Sequence, residues 1–160
     1  MNRQQQTWLI FISFLLAFAL SILPLPTWLA PYRPDWISLM LIYWCLVLPE
    51  RVGVVTGWSL GLLLDILLGS LIGQRALSLS IVAYASVKLH QRTRLYPMWQ
   101  QALTVLLMLL LNQLFILWIS GIIGRPPKTP FYWAPSFVGF FLWPWLFYFM
   151  NAVQQQTRSE

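Results

Sequence analysis

Six apolar runs, separated by short connections that carry most of the charge, constrain this chain more than any other feature. They fall at about residues 7–23, 35–48, 52–72, 76–89, 99–123 and 131–153. Only 9% of the residues are charged and the mean hydropathy is +0.68, whereas a soluble domain carries about 25% charged residues. No connection is long enough to fold as a soluble domain of its own. The sequence therefore predicts an all-α polytopic membrane protein, one integral membrane domain over residues 1–160, in a compact bundle of six transmembrane helices. A single cysteine, Cys45, excludes an internal disulfide.

The first run has one basic residue ahead of it, Arg3, and ends in prolines rather than at a small-x-small cleavage site. It reads as a retained first helix. The second run is short for a hydrocarbon core of about 30 Å, and it is expected to thin the bilayer or to be screened by its neighbours. Asp35, just after Pro34, is placed to complement the start of that helix. Pro144 is expected to kink the last helix.

The third run carries the most specific pattern. Gly53, Gly57, Gly61, Gly69 and Gly73 step by four, and Asp65 fills the gap in the same step. On one helix these positions form a ridge without side chains. Each interior glycine costs a helix about 1 kcal/mol against alanine, so the row calls for a compensating gain. Close approach of another helix supplies one, as in small-xxx-small association in lipid. The neighbour can be a helix of this chain, the small-residue-rich fourth run above all, or the span of a partner. Asp65 needs polar partners at membrane depth. If helices 3 and 5 run parallel, Asn112 and Gln113 reach its level and are its expected neighbours.

Orientation follows from Lys and Arg. With the N-terminus inside, the inner face holds Arg3, Arg51, Lys88, Arg92, Arg94 and Arg158, and the outer face Arg33, Arg75, Arg125 and Lys128. The cluster Lys88, His90, Arg92 and Arg94 is the strongest local signal. It predicts a cytoplasmic anchor after helix 4 and both termini in the cytoplasm. The net charge of +6 is spread over short connections and does not form a nucleic-acid surface. No nucleophile with its base, no metal-ligand cluster and no phosphate-cradling loop is apparent, so no enzyme activity, metal or cofactor is expected.

The run Gly57–Gly73 resembles the signature of the rod shape-determining protein MreD family. So do Arg33-Pro34-Asp35-Trp36, Tyr43-Trp44, Leu48-Pro49-Glu50-Arg51-Val52, Trp99-Gln100-Gln101-Ala102 and Trp143-Pro144-Trp145, in order along nearly the whole chain. The resemblance implies a non-enzymatic scaffold subunit of the elongasome, the machinery of cell-wall elongation, in the bacterial cytoplasmic (inner) membrane. It also implies partners: the bitopic protein MreC, the glycosyltransferase RodA with its class B penicillin-binding transpeptidase, and MreB filaments indirectly. The family is similar in fold to the S components of energy-coupling-factor transporters. Two alternatives stand beside the scaffold. One is a small-solute binder of the S-component kind, walled by the aromatics of helix 6 with Asp65, Asn112 and Gln113. The other is a proton-coupled carrier working through Asp65.

Overall fold

The computed structural model describes residues 3–23, 26, 28, 35–50, 52–69, 72–124 and 133–159. Six helices account for nearly all of them: α1 (Arg3–Ile22), α2 (Trp36–Val47), α3 (Val54–Leu68), α4 (Gln74–Leu95), α5 (Met98–Ile122) and α6 (Ala134–Ser159). The described residues contain no strand. The expected proline-rich loop at 125–130 and the connection through 29–34 lie outside the described residues.

The shortest helix is the centre. Every residue of α2 from Ile37 to Leu46 is buried, and α1, α4, α5 and α6 all pack against it. Its 12 residues rise about 18 Å, well short of a bilayer core. An apolar helix surrounded by protein needs no match to the membrane, because its own neighbours are its solvent. Asp35 caps its start: Oδ1 accepts from the Ser38 amide at 3.3 Å and Oδ2 from the Ser38 hydroxyl at 2.7 Å.

The large side chains of α2 find polar ends as well as packing. Trp44 donates its indole N–H to Ser13 Oγ of α1 at 2.8 Å, and Tyr43 donates its hydroxyl to Asn151 Oδ1 of α6 at 3.0 Å. Trp143 of α6 donates to Gln101 Oε1 of α5 at 3.2 Å. The Tyr43 and Trp44 rings meet edge to face at 5.2 Å, a favoured aromatic geometry. Helix α6 continues through Pro144. It approaches α5 and α2 at Gly139, where a Cβ would lie 2.6 Å from Leu109 Cδ1.

The outside is apolar. Phe11 and Leu15 of α1, Leu107 and Trp118 of α5, and Phe141 and Trp145 of α6 are all exposed, the pattern of a surface solvated by lipid. Among the described residues three helices are by length and composition able to cross a membrane, within Gln4–Ile22, Met98–Ile122 and Ala134–Gln156. Helices α2 and α3 are shorter apolar helices. The expected six helices of a helical membrane protein are present, three of them long and apolar and three shorter or more polar.

Trp44→Ala is expected to lower stability by about 3–5 kcal/mol, since it empties a buried site and removes the donor to Ser13 Oγ. Trp145→Ala, at a side chain 77% exposed, is expected to change it by less than about 0.5 kcal/mol. Unfolding in mixed micelles, followed by helicity, measures both.

Candidate functional site

The glycine row does not form a single helix. It breaks at Gly69, which closes α3 in the left-handed conformation (φ 69°, ψ 21°) and donates its N–H to Asp65 O. Gly73 follows with φ 101°. Both angles are strained for any residue with a Cβ, so these two glycines make a turn and are not part of a ridge. Helix 3 therefore ends at Leu68 rather than Ile72. Gly53 sits just before its first turn.

Gly57 and Gly61 remain in the helix, and they face α4 of the same chain. A Cβ on Gly57 would come within 2.7 Å of Leu79 O, and one on Gly61 within 2.5 Å of Arg75 O and of the Ala76 nitrogen. The bare track is filled by the next helix of the chain. This leaves no room there for a further helix.

Asp65 finishes this hairpin. It is 1% exposed, and its carboxylate accepts from the backbone N–H of Gly73 at 2.9 Å, Arg75 at 3.1 Å and Ala76 at 3.4 Å. The first amides of a helix have no partner within it, and α4 begins here at Gln74. Asp65 thus does from α3 what a capping side chain at position 73 would do, with glycine there freeing the backbone to turn. The positive end of α4 also favours a carboxylate at this point.

Asn112 and Gln113, the expected neighbours of Asp65, hydrogen-bond to other elements. Helix α4 packs on both α3 and α5 and stands between them, so α5 presents its amides to other elements. Asn112 donates Nδ2 to Asp35 Oδ2 at 3.1 Å and to Ser38 Oγ at 3.3 Å. Gln113 Oε1 accepts from Ser136 of α6. Gln74, at the start of α4, donates to Ile116 O at 3.0 Å and Ser120 Oγ at 2.8 Å. These contacts join the starts of α2, α4 and α6 to the later part of α5, and Asp65 joins the end of α3 to the same level. One end of the bundle therefore carries a buried polar layer. The sequence offered Asp35, Asn112 and Asp65 separately, and only the helix order in space connects the first two. Asn112 is 2% exposed, and among the described residues its Oδ1 accepts no hydrogen bond.

The basic cluster lies at the opposite end, and it is helical. Helix α4 runs to Leu95, beyond the expected stop at 89, so Lys88, His90 and Arg92 belong to its last two turns. Lys88 and Arg92 are exposed, while His90 is half-buried and its Nδ1 pairs with Val87 O. The Arg94 side chain lies outside the described residues. Among the described residues no three His, Cys, Asp or Glu side chains gather as metal ligands, and Cys45 is buried in α2.

One open feature is a groove between α1 and α3. Helix α1 packs on α2, and α3 packs on α4. Between them lies a cavity of about 840 Å³ lined by Ile10, Phe11, Phe14, Leu60, Leu63 and Leu67, among others. Nearly all of the lining is apolar, as befits a side chain-to-side chain contact within lipid.

Asp65→Leu is expected to destabilise the protein by about 3 kcal/mol, because several buried amides lose their acceptor. Asp65→Asn keeps one acceptor oxygen and is expected to cost about half as much. Thermal unfolding in detergent compares them. An equal cost for the two would remove the capping role.

A family model described as the rod shape-determining protein MreD matches residues 2–153. A curated protein of Haemophilus influenzae, "Rod shape-determining protein MreD", is 33% identical over 158 residues, which covers 94% of each chain. No solved structure matches the chain.

Proposed function

Because the chain belongs to the rod shape-determining protein MreD family, whose name places it in the control of cell shape, we propose that it acts as a non-enzymatic membrane scaffold of the elongation machinery, with the α1–α3 groove as the seat for a partner's single span. The observation that carries this reading is the groove itself. It is long, apolar and flanked by two helices that are each fastened to the bundle by a different neighbour. A helix about 10 Å across, lying between α1 and α3, would gain apolar packing on both sides without displacing any helix of this chain. The partner proposed for it is the bitopic protein MreC. RodA with its class B penicillin-binding transpeptidase would be held in the same assembly, and MreB filaments reached through it.

The setting proposed is the cytoplasmic (inner) membrane with both termini inside. The exposed cations at the end of α4 support that orientation, since Lys and Arg beside a span favour the cytoplasmic side. The polar layer then lies toward the outer face.

One observation favours the S-component type of reading. Among the described residues no donor reaches the buried Oδ1 of Asn112, beside the Asp35 carboxylate, and a small solute bearing an N–H or O–H would satisfy it. Native mass spectrometry of the purified protein should then show a stoichiometric small molecule, lost in Asn112→Leu. The proton-carrier reading has less support, because the Asp65 carboxylate is taken up by backbone amides.

The scaffold is tested by cysteine crosslinking in membranes. Cysteines placed at Phe11 and Leu63, both exposed in the groove, are expected to capture the span of MreC. A cysteine at Phe141, equally lipid-exposed on α6, is expected to capture it at least about tenfold less. Leu63→Trp, which fills the groove, should release the partner while the protein still folds. Equal capture at all three positions would remove the groove from the account.

A further inference from the structure

Helix α4 is longer than the helix it pairs with. The position of Gly53, just before α3, faces Val87, where an added Cβ would lie 4.0 Å from Val87 Cγ2. Residues 88–95 therefore continue about 12 Å past the start of α3. Along one side of α4, Leu77, Tyr84, Lys88 and Arg92 follow one another at helical spacing, and all four are exposed. The stripe changes from aliphatic to aromatic to cationic in the order of a membrane from core to surface.

We propose that this stripe binds one anionic phospholipid, with its phosphate held by Lys88 and Arg92 and its acyl chain lying along Tyr84 and Leu77. Three observations carry the assignment. The first is charge. Neither cation is engaged by a carboxylate among the described residues, and Glu50, exposed in the connection between α2 and α3, is the described acid at this end. The second is preorganisation. Lys88 Nζ donates to Tyr84 Oη at 3.2 Å and lies 5.3 Å from the ring centroid, so the ammonium is held over the ring, and the tyrosine hydroxyl keeps its own proton for a phosphate oxygen. The third is depth. Leu77 and Lys88 are about 16 Å apart along the axis, close to half of a hydrocarbon core of about 30 Å. A lipid with its tail at Leu77 would bring its headgroup to the level of Lys88. An acidic protein segment would use the cations alone and leave the rest of the stripe unexplained.

Native mass spectrometry of the full chain in detergent, titrated with dioleoyl phosphatidylglycerol or dioleoyl phosphatidylcholine, tests the site. The chain is expected to retain phosphatidylglycerol in preference. The double substitution Lys88→Gln with Arg92→Gln should weaken that binding about 25-fold, from about fivefold for each cation. Arg3→Gln with Arg158→Gln removes the same charge elsewhere and should change it by less than about twofold. Equal losses in the two double variants would mean diffuse attraction without a site. Unchanged binding in the Lys88/Arg92 variant, or no preference between the two lipids, would overturn the proposal outright.

Discussion

The carboxylate of Asp65 meets three backbone amides at the start of α4, and the placement of α3 follows from that contact. Without it, the first turn of α4 would bury donors with no acceptor, in a setting where water cannot supply one. With it, the chain can reverse through Gly69 and Gly73 and lay α4 along Gly57 and Gly61. Helix α3 is then fixed to the rest of the bundle mainly through α4. The same arrangement leaves its other side open toward α1, where the groove lies. An acid that looks like a reactive group in the sequence is thus a fastening, and the open face of α3 is a consequence of how it fastens.

The centre of the molecule follows a different rule. Helix α2 is too short to cross a bilayer and does not have to, because four other helices enclose it. Two of its three aromatic residues place a polar atom against a partner on another helix, Trp44 on Ser13 and Tyr43 on Asn151. Packing in lipid gains little from the hydrophobic effect, so shape and these hydrogen bonds fix which helices are neighbours. The layer around Asp35, Ser38 and Asn112 does the same work at one end of the bundle.

Much of this was legible in the residues. Charge scarcity and six apolar runs give a helical membrane protein, and Asp35 after Pro34 marks the start of α2. Glycines spaced by four indicate close helix approach, which Gly57 and Gly61 make with α4. Periodicity could not tell a glycine inside a helix from one that ends it. Gly69 and Gly73 keep the spacing of four yet take left-handed angles, and nothing in the pattern separates them from Gly57. Depth along the chain misled in a similar way. Asn112 and Asp65 share a level on paper, but α4 stands between their helices, and neighbourhood in a bundle is a matter of angular order that a linear sequence does not carry. The shortness of α2 was legible in its run, and burial among its neighbours is the reason for it. The length of α4 escaped, because its last turns leave the apolar region.

The α1–α3 groove is the proposed seat for a partner's span, and the most direct test is a cryo-electron microscopy map of this protein with MreC, the proposed partner. The account predicts the span of MreC between α1 and α3, in contact with Phe11 and Leu63, with α4 still seated on Gly57 and Gly61. A map with that span against α5 or α6, and only lipid in the groove, would contradict it.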